Sequence, residues 1–221
     1  MLKTRMRRIQ PVAEAEVIAE YLKNEFYEPE FHEDREKFEN LVLRPDLANP
    51  EENAIRRELL FRRRGELWRE LPHAIKWWEM QVEPADLDRM YVSDRLEWKR
   101  IANGSMLVKD IAERIQSGRF GGNSICKVVN MGYYLRNSLH RSSVLLIGVN
   151  EDKPLTILEG NHRVLAAVMV SPEVKSWRLR VIVGLSAQMN DCQRHNSNRP
   201  DSRGRVKNWL SALFMVLTLG T

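Results

Sequence analysis

The chain has 221 residues, a length that suits one large domain or two small ones. Hydrophobic residues make up 43% of it and six tryptophans are present, which is enough for a packed core and excludes disorder as the default. Lysine and arginine outnumber aspartate and glutamate by 35 to 30, and the pI is about 9.3. This surplus favours an anionic partner, such as a nucleotide, a nucleic acid or an acidic surface, without choosing between them.

The sequence carries no pattern of a disulfide framework, a cysteine-held metal or a membrane span. The two cysteines, Cys126 and Cys192, are far apart and lack the spacing of metal ligands. Residues 1–8 are basic, but no apolar run follows them, and the apolar run over residues 209–219 is shorter than the roughly 20 residues of a spanning helix. We therefore expect a cytoplasmic protein with no membrane partner.

Apolar residues recur at helical spacing through most of the first 120 residues. These patterns predict helices over residues 12–27, 34–43, 50–71, 94–101 and 107–115. The third helix has a clear start, because Asn49 can cap it, Pro50 suits its first position and acidic residues follow in its first turn. We therefore predict that residues 1–120 form a helical N-terminal region.

The predicted helix over residues 50–71 is dense in arginine. Its arginines are Arg56, Arg57, Arg62, Arg63, Arg64 and Arg69. They form either a solvated basic face on an amphipathic helix or a contact for nucleic acid or an acidic partner. The tryptophan-rich stretch that follows, residues 72–80, favours packing in a core, with stacking on a base as the alternative.

The character of the chain changes at the glycine-rich break over residues 121–124. Residues 124–135 fit either a strand or a helix. Later apolar runs predict strands over residues 143–149, 155–158 and 178–184, with a helix between the last two. This order predicts an α+β protein, in which a small mixed-sheet domain over residues 121–190 is followed by a polar segment and a C-terminal helix over residues 191–221.

The junction between the strand over residues 155–158 and the helix after it carries the clearest functional pattern. Glu159 ends the strand, Gly160 breaks it, and Asn161 is placed to cap the helix. His162 and Arg163 then lie in the first helical turn, where unpaired N–H groups and the helix dipole favour an anion. Basic side chains at this end oppose the dipole unless an anion is bound, so the pattern predicts a phosphate site. The alternative is a plain strand–helix turn in which Arg163 pairs with Glu159.

Residues 157–167, ILEGNHRVLAA, resemble the signature of the ParB/sulfiredoxin fold: a strand, an acidic residue, Gly, any residue, His or Arg, Arg, and a helix. The resemblance covers about residues 144–185 and implies a ParB/sulfiredoxin-like domain whose motif holds nucleotide phosphates. It implies catalytic roles for Glu159, as a general base or metal ligand, and for His162. It also implies ATP or another nucleoside triphosphate with Mg²⁺ as the cofactor. The phosphate contacts that it implies come from Gly160, Asn161, His162 and Arg163.

The chain departs from two branches of this superfamily. Sulfiredoxins place a catalytic cysteine where this chain has Asn161, which disfavours reduction of a sulfinic acid. ParB partition proteins usually have two arginines where His162 and Arg163 stand, and they add a helix-turn-helix domain for which the residues after the motif leave little room. The free-serine kinase branch, with an acidic residue, Gly, two histidines and Arg, is similar to this motif.

The first hypothesis is therefore a nucleotide-binding protein of this fold, a Mg²⁺-dependent kinase acting on a small molecule or a nucleotide hydrolase. The alternative is a DNA- or nucleic-acid-binding ParB-like regulator that uses the arginine-rich helix. A nuclease ranks last, because no cluster of carboxylates accompanies the motif, and a binding module without turnover stays open. No metal ligands are assigned. Arg194 and His195 are expected to add positive charge to the phosphate site if their polar segment folds back over the motif.

Overall fold

The computed structural model describes residues 6–137, 142–170 and 179–197, and a six-stranded mixed β-sheet runs through them. The strands are β1 (Arg7–Val12), β2 (Lys76–Gln81), β3 (Met90–Tyr91), β4 (Ser142–Gly148), β5 (Leu155–Glu159) and β6 (Leu179–Leu185). They lie side by side in the order β1-β2-β6-β4-β5-β3. The β6–β4 and β5–β3 pairs are parallel, and the β1–β2, β2–β6 and β4–β5 pairs are antiparallel.

Helices cover both faces of this sheet. The α-helices of the described chain are α1 (Glu14–Glu25), α2 (Arg35–Leu43), α3 (Pro50–Arg69), α4 (Leu96–Ala102), α5 (Val108–Gln116), α6 (Asn123–Asn137), α7 (Asn161–Val170) and α8 (Gln193–Asn196). Short 3₁₀ helices span Pro29–Asp34, Pro84–Arg89 and Ala187–Asp191. Helices α1 to α3 pack on one face of the sheet, and α4 to α7 pack on the other.

Strand β4 shows why the sheet has two covered faces. Val144 and Leu146 belong to the core that contains α4 to α7, whereas Leu145 and Ile147 belong to the core that contains α1 to α3. All four side chains are buried. A strand buried on both faces reads as a continuous apolar run, and this run is what predicted the strand. The three strands predicted after residue 142 are confirmed.

The five helices predicted in the first half are confirmed, with ends that differ by a few residues. The predicted cap of α3 is also confirmed, because Asn49 Oδ1 accepts hydrogen bonds from the backbone N–H groups of Glu51 at 3.0 Å and Glu52 at 3.2 Å. Helix α5 shows the amphipathic pattern most clearly, since one face is buried against the core. Its buried residues are Val108, Ile111, Ala112 and Ile115.

The prediction that the first half is nearly all helical is wrong, because β1, β2 and β3 come from it. The tryptophan-rich stretch contains β2, where Trp77 is buried in one core and Trp78 packs partly against the other, so core packing is confirmed there. The stretch that fitted a strand or a helix is α6. The sheet and both cores therefore combine residues from each side of position 120, and the protein is a mixed α/β structure. The predicted C-terminal helix lies outside the described residues.

Candidate functional site

A glycine with left-handed backbone geometry joins β5 to α7. Gly160 has a φ of 101°, and its carbonyl accepts the hydrogen bond from Val164 N–H at 3.0 Å. A Cβ atom at this position would lie 2.7 Å from Cγ1 of Val144 on the neighbouring strand. Glycine is required here both by the backbone angle and by the close approach of β4. The strand–glycine–helix arrangement predicted from the sequence is confirmed.

Asn161 does not cap the helix as predicted, because it is the first residue of α7 and its side chain bonds to another segment. Its Oδ1 accepts from the backbone N–H of Ser93 at 3.0 Å, and its Nδ2 donates to Ser93 Oγ at 2.7 Å. Both residues are buried. Asn161 therefore fixes the segment before α4 against the motif, and its amide is already satisfied without a ligand.

Glu159 and Arg163 form the ion pair that was the alternative to a phosphate contact. Both carboxylate oxygens of Glu159 accept from Nη1 of Arg163, at 2.7 and 2.9 Å. Asn24 at the end of α1 donates a further hydrogen bond to Glu159 Oε2 at 2.7 Å. Burial raises the pKa of Glu159 above its usual value. The positive charge of Arg163 and the hydrogen bonds from Arg163 and Asn24 oppose that rise.

His162 is an uncharged, half-buried side chain at neutral pH. Burial lowers its pKa to about 4, against a smaller opposing effect of Glu97. The imidazole meets Trp98 edge-on, with ring centroids 5.1 Å apart, and its Nε2 makes no hydrogen bond to a described residue. Neither basic residue of the motif therefore needs an anion, contrary to the prediction, since burial lowers the pKa of His162 and Arg163 is paired with Glu159.

The motif opens into a cleft of about 660 Å³, here called the motif cleft, which is bounded by residues 159–163, the end of α1, the middle of α3, the segment before α4, and α6. Its carboxylates are Glu25, Glu28, Glu30, Glu97 and Glu159, and its basic side chains are Arg64, Arg95, Lys127 and Arg163. Positive and negative side chains are nearly equal in number, so the net charge of the cleft is small. A charged ligand binds there by replacing existing ion pairs, not by attraction to a large net charge.

Most of these charges are paired with one another. Arg64 contacts both Glu25 and Glu30 at 2.8 Å, and Lys127 contacts Glu28 at 3.1 Å. Arg95 differs, because it is exposed and makes no ion pair or side-chain hydrogen bond with a described residue. Sequence patterns do not predict that Arg95, Lys127 and Asn24 belong to this site, since no local pattern distinguishes them from other surface residues.

The arginines of α3 are mostly paired rather than free. Arg56 is fully buried and bonds to the carbonyls of Leu41 and Asp46, to Glu52 and to Asn53. Arg57, Arg62, Arg63 and Arg64 each contact carboxylates. Only Arg69 on this helix lacks a carboxylate partner among the described residues. The arginines of α3 therefore form neither a basic surface that is free to bind an anion nor a face that contacts only water.

The described part of the polar segment after β6, residues 187–197, does not line the motif cleft. His195 is buried beside β5, with its Nδ1 3.2 Å from Thr156 Oγ1. Arg194 lines a different cleft and lies 3.4 Å from Glu70. The expectation that both side chains add positive charge to the phosphate site is therefore wrong.

No family model, no curated protein and no solved structure matches this chain. The likeness to the ParB/sulfiredoxin fold therefore depends on the motif residues and the elements that flank them. Among the described residues, no three or more His, Cys, Asp or Glu side chains gather in a group that could hold a metal ion. No helix within the described ranges combines the length and apolarity needed to cross a membrane.

Proposed function

We propose that the motif cleft binds the phosphates of ATP or another nucleoside triphosphate, in a fold like that of ParB and sulfiredoxin. One observation carries this proposal: the N-terminus of α7 lies in the wall of a cleft that also receives Arg95, Lys127 and Arg163. The first backbone N–H groups of a helix have no partner within the helix, and the helix dipole adds positive potential to them. A phosphate in the cleft is stabilised by these groups and by the basic side chains together.

Arg163 can contact a phosphate without first leaving Glu159. Both of its hydrogen bonds to Glu159 use Nη1, and its Nε and Nη2 make no hydrogen bond to a described residue. A guanidinium group has five N–H donors in a planar fork, so the remaining donors suit a second anion. The pair with Glu159 holds the guanidinium in position before the ligand arrives.

Glu159 is the proposed general base. In the proposed phosphoryl transfer it accepts the proton of an attacking hydroxyl, from water or from a small-molecule alcohol. The hydroxyl oxygen bonds to the terminal phosphorus while the bond from that phosphorus to the leaving nucleoside diphosphate breaks. The raised pKa of Glu159 supports this role, because a base is most effective when its pKa approaches the working pH.

The described carboxylates fit Mg²⁺ only together with bound phosphates. This ion usually takes one or two protein carboxylates and completes its coordination with phosphate oxygens and water. Glu97 suits this role, since it lines the motif cleft, is half-buried and makes no ion pair with a described residue. Magnesium would supply charge neutralisation at the phosphates.

The binding proposal is tested by thermal unfolding with ATP, ADP, CTP or GTP, each with and without Mg²⁺. A nucleotide at 100 times its dissociation constant adds about 2.7 kcal/mol of stability, or about 5–10 °C in Tm for a domain of this size. Lys127→Ala should reduce this shift, and Arg163→Lys should reduce it further while keeping a positive charge beside buried Glu159.

Lys109→Ala is the matched control for the lysine variant. Lys109 and Lys127 both form exposed ion pairs, with side chains 42% and 44% exposed, but Lys109 lies outside the motif cleft. An absence of any nucleotide shift in the wild-type protein would refute the proposal. So would equal shifts in wild type and Arg163→Lys.

The catalytic part has a separate test. Glu159→Gln keeps the size of the side chain and an acceptor for Arg163 but cannot take a proton at neutral pH. We expect it to bind the nucleotide and to lose release of nucleoside diphosphate, measured with and without candidate alcohols. Equal turnover in Glu159→Gln and wild type would remove Glu159 as the base.

Nucleic-acid binding through the face of α3 alone has weaker support. Five of the six arginines of this helix are held by carboxylates or by backbone carbonyls, and a phosphate would have to compete with those partners.

A further inference from the structure

The motif cleft is one end of a longer groove. A second cleft of about 800 Å³, here called the arginine cleft, shares Arg64 and Arg95 with the motif cleft. A third of about 360 Å³, here called the aromatic cleft, shares Phe61 and Arg69 with the arginine cleft. Since adjacent clefts have walls in common, the three follow one another around the C-terminal half of α3. We call them together the α3 groove.

Basic side chains from three separate parts of the chain line the arginine cleft. Its arginines are Arg62, Arg63, Arg64, Arg69, Arg95 and Arg194. Its carboxylates are Glu66, Glu70 and Asp94. The guanidinium groups therefore outnumber the acids two to one along this wall, although carboxylates outside the cleft pair with some of them.

Two of these arginines keep their charge available for a ligand, and a third keeps unused donors beside its ion pair. Arg69 and Arg95 are exposed and have no carboxylate partner among the described residues. Arg62 contacts Asp34 through one nitrogen at 2.8 Å, yet its side chain is 45% exposed. Exposed guanidinium groups with unused donors are the side chains that bind phosphate oxygens most readily.

Aromatic rings adjoin this basic wall. Phe61 lies at the junction of the arginine and aromatic clefts, with the guanidinium carbons of Arg57 and Arg69 at 5.2 and 6.0 Å from its ring centroid. Trp68 and Trp77 also line the aromatic cleft, but both are buried in a core, so Phe61 is the ring that a base can reach. The Nε1 of Trp68 is buried and donates to no described residue.

We propose that the α3 groove binds a single strand of nucleic acid, with phosphates along the arginine cleft and a base in the aromatic cleft. A positively charged groove with interleaved aromatic rings is the general solution for binding single strands. Concave clefts admit an unpaired base, whereas the bases of a duplex stay stacked and cannot enter them. This ligand goes beyond the mononucleotide proposed for the motif cleft.

The test is fluorescence anisotropy of the full chain with a labelled 12-nucleotide DNA strand, titrated at several salt concentrations. Arg69→Ala should weaken binding about tenfold and reduce the slope of log affinity against log salt by about 0.7, the value for one lost phosphate contact. Arg119→Ala is the matched control, because Arg119 is exposed and lines none of the three clefts. An equal loss in both variants would overturn the groove as the site.

Competing ligands separate the sources of the phosphate. An RNA strand of the same length should compete, and Phe61→Leu should weaken both strands by several-fold with Tm monitored to confirm folding. Inorganic polyphosphate of equal charge should compete poorly, since it has no base. Competition by polyphosphate as strong as by DNA, or tighter binding of a duplex than of a single strand, would overturn the proposal.

The test of single-strand binding is independent of the test of nucleotide binding. Arg69 does not line the motif cleft, so Arg69→Ala should retain the thermal shift with nucleotide. A chain that binds the single strand but no mononucleotide would refute the proposed function and leave this inference standing.

Discussion

Mild acidification should reduce the contribution of His162 to the stability of the protein. In the folded state burial lowers the pKa of this imidazole to about 4 from its usual value of 6.5. Between these two values the unfolded chain takes up a proton that the folded protein does not, so acid favours unfolding. One full proton of difference is worth about 1.4 kcal/mol per pH unit, but the unfolded histidine is only half protonated at pH 6.5. Lowering the pH from 6.5 to 5 should therefore cost about 1.5 kcal/mol. That corresponds to roughly 3–6 °C in Tm for a domain of this size.

The measurement is urea or thermal unfolding at pH 5.0 to 7.5 for the wild type and for His162→Phe. Phenylalanine retains an aromatic ring against Trp98 and removes both the titration and the Nε2 that bonds to no described residue. The raised pKa of Glu159 acts in the opposite direction, because protonation of that carboxyl on acidification favours the folded state. Since Glu159 is present in both proteins, the difference between their stability curves isolates the histidine.

We expect the stability of His162→Phe to rise relative to that of the wild type by about 1.5 kcal/mol as the pH falls from 6.5 to 5. His73→Phe is the control, because His73 is exposed and its ring stays in solvent on folding. A difference curve for His162→Phe that does not change between pH 6.5 and pH 5 would refute the burial argument.

Two further predictions concern stability. Gly160→Ala should destabilise more than Gly104→Ala in urea unfolding, because both glycines have φ near +100° but only Gly160 brings a new Cβ against Val144. The unfavourable backbone angle common to both costs about 1–2 kcal/mol. Equal losses would contradict the steric argument, because they would show that β4 moves aside at no cost. Arg56→Met should cost about 1–3 kcal/mol, since it removes the hydrogen bonds that this fully buried guanidinium donates to the carbonyls of Leu41 and Asp46. Arg57→Met, which removes an exposed pair, should cost less than about 1 kcal/mol, and similar losses at the two positions would contradict this account.

Local patterns predicted the elements whose signal is local. The cap at Asn49, the helical spacing of α5 and the continuous apolar run of β4 each reflect a physical preference within a few residues, and each prediction is confirmed. Strands β1 and β2 were missed because their pairing is long-range. Most residues of β1 are exposed, so no apolar alternation marks it. In β2 the tryptophans indicated burial but not strand geometry.

The candidate site likewise combines features that the sequence predicts with features that it does not predict. The glycine turn between β5 and α7 was visible in the sequence, since a strand, a glycine and a helix follow one another directly. The neighbours of that turn were not visible, because Asn24, Ser93 and Arg95 reach it only through tertiary packing. The sequence offers the ion pair of Arg163 with Glu159 as an alternative, because the two residues are four positions apart. The lowered pKa of His162 follows from its burial, and no spacing rule connects the motif to Trp98, which the imidazole contacts.

The position of β6 has a consequence for how the chain folds. This strand lies between β2 and β4, so it joins the β1–β2 ribbon to the β4–β5–β3 ribbon, and it is the last strand of the described chain. Trp78 pairs with Val183, more than a hundred positions later, and contacts of such long sequence separation slow folding. During synthesis the two ribbons must wait for residues 179–185 before they can form one sheet. Until then each ribbon exposes an unpaired edge, so newly made chains should depend on chaperones until β6 has emerged from the ribosome.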